Sequence, residues 1–200
     1  MRSLIKDGIN LLCLVLMLPL SLPTRVFAAE GRPSVLFTIL CHTLSLFPGV
    51  IGVYLRRGYY RIAFEECGSD VAIGFGTVFA MRGTRIGRDT YIGTHCTVGL
   101  AHIGESVLIG SNVDIIGGPQ VHHFDQTDVP IKQQGGTMTA VHVGNGSWLG
   151  NSAVVMADVG EECVVGAGSV VVNTCDDWGI YVGNPARRVR DRRESAEGAE

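Results

Sequence analysis

From Ile73 onward the chain keeps a period of six. "IGFGTV" begins at Ile73, "IGRDTY" at Ile86, "IGTHCT" at Ile92, "VGLAH" at Val98, "IGESVL" at Ile103 and "IGSNVD" at Ile109. After an interruption come "VGNGSW" at Val143, "LGNSAV" at Leu149, a short "VMAD" at Val155, "VGEECV" at Val159 and "VGAGSV" at Val165. A helix repeats its apolar face every 3.6 residues and a half-buried strand every second. A period of six needs a chain that turns a corner after each short strand. The aliphatic residue then points inward, and Gly supplies the unusual backbone angles nearby. Three such sides close a triangular coil, and stacked coils bury one continuous aliphatic core. The repeat predicts about four coils. "VGLAH" and "VMAD" fall short of a full hexad and predict pinched corners.

Composition narrows the function classes. Hydrophobic residues make up 46% and charged residues 18% of 200, with a formal net charge of -3. No basic groove or nucleic-acid-binding motif is present, so a nucleic-acid partner is not expected. The 27 glycines lie mostly inside the repeat, which excludes a flexible linker. Cys13, Cys41, Cys67, Cys96, Cys163 and Cys175 are scattered without metal-type spacing and read as reduced structural residues. "NGS" at Asn145 matches a glycosylation sequon but sits within the repeat.

Residues 1–66 differ in kind from the repeat. "INLLCLVLMLPLSLPTRVFAA" and "SVLFTILCHTLSLFPGVIGVYL" are two apolar stretches, each about the minimum length that spans a bilayer. Pro19, Pro23 and Pro48 interrupt them, which favours a re-entrant hairpin or helices lying in one leaflet over two spanning helices. Arg56, Arg57 and Arg61 among Tyr54, Tyr59 and Tyr60 suit a headgroup region on the cytoplasmic face of the membrane. A secretory signal peptide ending at "VFA" before Ala29 is the rival, weakened by Asp7 and the prolines, and a helical subdomain packed in a soluble oligomer is the third reading. The segment "RDRRESAEGAE", within the tail at 190–200, reads as a solvated, frayed end.

The break in the rhythm is "GGPQVHHFDQTDVPIKQQGG", from Gly117 to Gly136. A loop of that length inside a compact repeat is uncommon and generally functional. It carries the adjacent pair His122 and His123. Neutral imidazole near pKa 6.5 suits a general base. No Ser or Cys nucleophile with a base beside it is evident, which favours direct transfer over an acyl-enzyme.

The hexads, the His-bearing break and the ending "IYVGNPARRVR" together resemble the hexapeptide-repeat acyltransferase family, of the sugar and polysaccharide O-acetyltransferase type. The resemblance implies a mainly β fold: a left-handed parallel β-helix over residues 67–189 with a long extruded loop, preceded by a hydrophobic, mainly helical segment. It implies an O-acyltransferase that moves an acyl group, acetyl by analogy, from acyl-CoA to a hydroxyl of a saccharide. A hydrophobic N-terminus suggests a lipid-linked sugar of surface polysaccharide or exopolysaccharide biosynthesis, handled at the cytoplasmic face of the inner membrane. On the family pattern "SGxxxH-x-F-D…D-x-P-I…QGG", His122 is the catalytic base, with His123 the alternative. Asp114 and Asp125 are candidates to orient it or to bind acceptor. CoA contacts are implied for Trp148, Gly150, Asn151, Ala167, Gly168, Asn184, Pro185, Ala186, Arg187 and Arg188. Asn151 departs from the small residue of the family. Acetyl-CoA is then the co-substrate, no metal is needed, and a homotrimer with shared sites is expected. Two alternatives stay open: a γ-type zinc carbonic anhydrase using His95, His102 and His122 spread over a subunit interface, and a non-catalytic hexapeptide-repeat subunit.

Overall fold

The period of six folds as a three-sided parallel β-helix with helices across one end. The computed structural model describes residues 2–27, 34–118 and 120–195. Side I stacks strands Glu66–Cys67, Arg85–Ile86, Ala101–Ile103 and Val141–Val143, continued by single bridges at Val159 and Cys175. Side II runs from Ala72–Ile73 through Tyr91–Ile92, Leu108–Ile109, Trp148–Leu149 and Val164–Val165 to Gly179–Val182. Side III holds Val78–Phe79, Thr97–Val98, Asp114–Ile115, Val154–Val155 and Val170–Val171. That makes six coils, the last incomplete, rather than four. The count of four falls short because Phe79, Ile115 and Val171 on side III have no Gly after them. At the two ends, Cys67, Cys175 and Tyr181 stand where the pattern expects an aliphatic residue.

In register, Ile73, Ile92, Ile109, Leu149, Val165 and Tyr181 form one inward column, and Phe79, Val98, Ile115, Val155 and Val171 another. All of them are buried, each worth about 1.5–3 kcal/mol of transfer free energy for a large aliphatic or aromatic side chain. Two residues before several inward positions stands a buried hydroxyl. Thr77 Oγ1 donates to the Gly93 carbonyl at 2.7 Å and accepts the Cys96 amide at 3.1 Å. Ser147 repeats this with Gly160 and Cys163 at 2.7 and 3.0 Å. "VMAD" does pinch its corner, and Asp158 Oδ1 satisfies the His142 amide there at 2.8 Å.

The glycines act differently from the expectation. Left-handed backbone falls two residues beyond most glycines that follow an inward aliphatic residue, and mostly not on Gly. Asp89, His95, Ser106, Asn112, Ser152 and Glu162 have φ between 53 and 60°, and Trp178, three residues after inward Cys175, has 62°. Gly93, right after Ile92, is not among the positive-φ residues; a Cβ there would overlap the backbone of Gly110 in the next coil. These glycines are selected by how closely coils stack, at about 4.8 Å.

Three helices close the first coil: α1 (Arg2–Val26), α2 (Val35–Ser45) and α3 (Gly49–Ala63). α1 continues through Pro19 and Pro23 without a break. Ser34 caps α2 by accepting the Phe37 amide. Tyr60 stacks on Phe64 with ring centroids 4.4 Å apart, and both meet Phe79 edge-on at 5.0 and 4.9 Å. This aromatic plug seals the open end of the core.

Arg56 and Arg57 do not face headgroups. Arg56 is fully buried, its Nε donating to Ile73 O at 2.9 Å and its Nη1 to Leu44 O and Phe47 O at 3.0 and 2.8 Å. Arg57 Nε donates to Val71 O at 2.6 Å and Nη1 to Asn10 Oδ1 at 2.8 Å. Both donate to backbone carbonyls of the first coil, and Arg56 also to those of the α2–α3 turn. Arg61 alone of the three is exposed. The tail is not frayed over its described part either. Arg187–Asp191 returns antiparallel along Gly179–Val182, Arg192 pairs with Glu162, and Arg193 pairs with Asp191 at 2.7 Å. The signal-peptide cleavage point at Ala29 lies outside the described residues.

Candidate active site

The loop leaves the prism at the corner between sides III and I, after Ile115, and returns at Val141. Its neck is paired: Thr139 N to Gly117 O at 2.9 Å, Thr137 N to Gln120 O at 2.7 Å and His123 N to Gly135 O at 3.1 Å. Gly136 is required there, because a Cβ would overlap the Val121 carbonyl. Gln134 ties the tip, accepting the Gln126 amide at 3.1 Å and donating to the carbonyls of Gln126 and Val129 at 2.7 Å each. Pro130 leads into a single 3-10 turn, Ile131–Gln133, and Phe124 and Ile131 remain largely exposed. The excursion is thus a folded arm with its own internal bonds.

The two histidines occupy different places on that arm. His123 is half-buried in the neck, its Nε2 3.5 Å from Thr137 Oγ1. His122 is exposed, and among the described residues its ring makes no hydrogen bond. Asp114 stands half-buried on side III at the foot of the arm, and Asp125 is exposed beyond His123. Among the described residues, neither carboxylate bonds a histidine ring.

The second group of residues gathers at a different corner, between sides II and III. Gly150 and Asn151 in coil four lie below Ala167 and Gly168 in coil five, with Gly168 N donating to Asn151 O at 2.9 Å. Asn184, Pro185 and Ala186 follow above, Ala186 N donating to Val170 O at 2.8 Å. The coils stack closely here, since a Cβ on buried Gly150 would overlap Ala167, while Ala167 and Gly168 are exposed. The side chain of Asn151 is already engaged, its Oδ1 accepting the Ser111 amide at 3.0 Å. Arg187 is exposed, and among the described residues its side chain bonds only the Ala186 carbonyl, at 3.1 Å. Arg188 instead turns to Asp191 at 2.7 Å and lines a cavity with His142.

Trp148 belongs to a ladder that sequence reasoning missed. It projects from side II at 48% exposure, in register with Leu108 at 47% and Tyr91 at 45%. The signal was available: each stands immediately before an inward aliphatic residue on the same side. Side I differs, presenting Glu66, Arg85, His102 and His142 outward over a shallow cavity of about 500 Å³. The His102 and His142 rings meet edge-on at 4.9 Å. Burial, then the neighbouring His142 and Arg85, push His102 below the ordinary histidine value.

The three histidines of the zinc alternative are not gathered. His95 sits in a left-handed turn against the Phe75 ring, His102 on side I, and His122 on the arm. Among the described residues no three His, Cys, Asp or Glu side chains form a group able to hold a metal ion. Within one chain, then, the His122 arm and the small-residue column stand on different corners, separated by the width of side III.

The solved galactoside acetyltransferase in complex with coenzyme A superposes on this chain with a TM-score of 0.67 at 22% identity, covering 80% of this chain and 83% of that one. The chain has the fold of the hexapeptide-repeat acetyltransferases. Its relatives in sequence are acetyltransferases as well. The Galactoside O-acetyltransferase of Escherichia coli (strain K12) is 30% identical over 113 residues, 53% of each chain. The Probable acetyltransferase of Mycobacterium tuberculosis is 34% identical over 114 residues, 56% of this chain and 36% of the relative. The chain therefore spans about a third to a half of the length of these two curated relatives. No family model matches the sequence.

Proposed function

We propose that this protein transfers an acetyl group from acetyl-CoA to a hydroxyl of a saccharide, with His122 as general base. The observation that carries the reading is the pairing of a self-folded arm bearing an unengaged, exposed imidazole with a column of small residues on an acetyltransferase fold.

In this mechanism His122 removes the hydroxyl proton as the sugar oxygen attacks the thioester carbonyl. A backbone N–H of a coil stabilises the oxyanion. The tetrahedral intermediate collapses by breaking the C–S bond, and the CoA thiolate takes the proton back from His122. The pantetheine arm lies along Gly150, Ala167 and Gly168, where no side chain bars close approach to the backbone. Arg187, with no acidic partner among the described residues, meets the nucleotide phosphates, whereas Arg188 is held by Asp191. Asp114 and Asp125 approach His122 or the acceptor once the site is occupied.

Since arm and column stand on different corners, a neighbouring copy completes each site, which supports a homotrimer. Tyr91, Leu108 and Trp148 give the acceptor's ring faces an apolar wall. The apolar helical end supports attachment to the inner membrane, at the cytoplasmic face where acetyl-CoA is available, with a lipid-linked saccharide as acceptor. Thiol release from acetyl-CoA with a panel of saccharides tests the reading. The expected result is saccharide-dependent release that His122→Ala abolishes. Failure of millimolar acetyl-CoA to bind by calorimetry would remove it.

A further inference from the structure

We propose that the N-terminal helices form a foot lying in the plane of one lipid leaflet, α1 resting on the acyl chains along its length without crossing the bilayer. The inference rests on the proposed membrane attachment and gives it a definite form.

The polarity of α1 is inverted relative to a helix bathed in water. The face turned to α3 carries Asn10, Cys13, Met17, Ser21 and Thr24, of which Ser21 and Thr24 are fully buried. The hydroxyls there are satisfied internally, Ser21 Oγ on Met17 O at 2.8 Å and Thr24 Oγ1 on Leu20 O at 2.8 Å. Tyr59 Oη adds a bond to Thr24 Oγ1 at 3.2 Å. The opposite face presents Leu11, Leu12, Val15, Leu16 and Leu22 at half exposure or more. Surface helices of globular proteins do the reverse. A medium that solvates leucine and offers no hydrogen bonds accounts for both faces at once.

Length alone would permit a crossing. The apolar stretch Lys6–Val26 has 21 residues, about 31 Å at 1.5 Å each, close to the hydrocarbon thickness of a bilayer. The attachments of α1 forbid it. Lys6 pairs with Asp70 of the first coil at 3.8 Å, Asn10 bonds Arg57, and Arg25 Nη1 donates to Ile62 O and Phe64 O at 3.1 and 3.2 Å. The helix is thus fastened at both ends to α3 and the prism base. A crossing would draw Asp70, Arg56 and Arg57 into hydrocarbon with it, against a cost that excludes charges from the bilayer centre.

Charge complements a lipid surface at both ends of the foot. Lys6 and Arg25 are exposed at opposite ends of α1, and even while bonded to Asp70 and to the Ile62 and Phe64 carbonyls they place a cation at each end of the apolar stretch, at headgroup level. Between them Asp7 is the sole charge, beside Lys6, and residues 8–24 carry none. The outward residues of α2 and its junction with α3, Val35, Ile39, Leu46, Val50 and Ile51, extend the apolar surface.

The test uses the full-length protein and sealed vesicles of phosphatidylglycerol and phosphatidylcholine. Wild type should float with vesicles. Leu12→Glu with Leu16→Glu should lower partitioning by roughly a hundredfold or more, given about 0.8 kcal/mol per buried CH₂. Those side chains are 67% and 57% exposed, so the variant should keep its fold and its acetyl-CoA affinity by calorimetry. Cleavable tags ahead of Met1 and after Glu200 should be cut from the same side of sealed membrane vesicles. Cutting from opposite sides would show a spanning helix and overturn the inference. So would undiminished flotation of the double variant, an α1-mediated dimer that it dissociates, or membrane-bound protein whose intact mass lacks α1. Loss of acetyl-CoA binding with flotation intact would instead count against the proposed activity alone.

Discussion

Asn151 Oδ1 accepts the Ser111 amide at 3.0 Å across 40 residues of chain, and Asn145 Oδ1 accepts the Glu105 amide at 2.8 Å across the same separation. The two amides fasten coil four to coil three where the arm parts them in sequence. Consequently the excursion disturbs no register: Ile109 still meets Leu149 and Ile115 still meets Val155. Asn151→Ala and Asn145→Ala should each lower unfolding free energy by about 1 kcal/mol, the typical net value of one hydrogen bond. Urea titrations of the single and double variants would check this. A selective loss of acetyl-CoA affinity without loss of stability in Asn151→Ala would return Asn151 to the binding residues.

His122→Ala should lower kcat by about 10²–10⁴-fold, the range for loss of a general base. Its ring has no structural bond to lose, so the melting temperature should stay near wild type. His123→Ala is expected to act through the neck, raising KM more than it lowers kcat, because His123 abuts Thr137. Steady-state kinetics beside thermal melts separates the two. A larger kcat loss in His123→Ala would reverse their roles.

The legible part of the fold came from the period. Most inward residues of sides I and II could be read from the chain, since aliphatic–Gly pairs recur there, as at Ile86, Ile103, Val143 and Val159 on side I and Ile73, Ile92, Ile109, Leu149 and Val165 on side II. Side III was harder, because Phe79, Ile115 and Val171 have no Gly after them, and Cys67, Cys175 and Tyr181 replace the aliphatic residue on the other sides. The His-bearing arm was visible as an interruption. Its placement one corner away from Gly150 and Ala167 was not, because corner identity depends on counting sides through the two pinched corners. Arg56 and Arg57 were misread for a different reason. Arginine among tyrosines after an apolar run describes a headgroup rim and a carbonyl-capping plug equally well, and only the α2–α3 turn over coil one decides between them.

Arg56 should therefore be a stability residue. Arg56→Met leaves the Leu44, Phe47 and Ile73 carbonyls without their donor at a fully buried site, an expected loss of about 3–5 kcal/mol. Arg56→Lys should recover only part, as one ammonium cannot span the fork of three carbonyls. Urea unfolding measures both. A change under about 1 kcal/mol in Arg56→Met, the level of an exposed charge, would restore the headgroup reading.

Side I supplies a pH-dependent prediction. Burial first, and then His142 and Arg85, hold His102 below its ordinary value of 6.5. The unfolded chain then binds the proton more readily than the folded one. The contribution of His102 to stability is complete above the ordinary value and is lost as pH falls through it toward the folded value. His142→Ala removes the neighbouring imidazole that helps lower the His102 pKa and opens the ring to water, and both effects raise it. NMR titration of the His102 ring should show this rise, and melts below pH 6.5 should show a shallower loss of stability in the variant. An unchanged His102 titration would mean that Arg85 and the prism wall alone set its protonation.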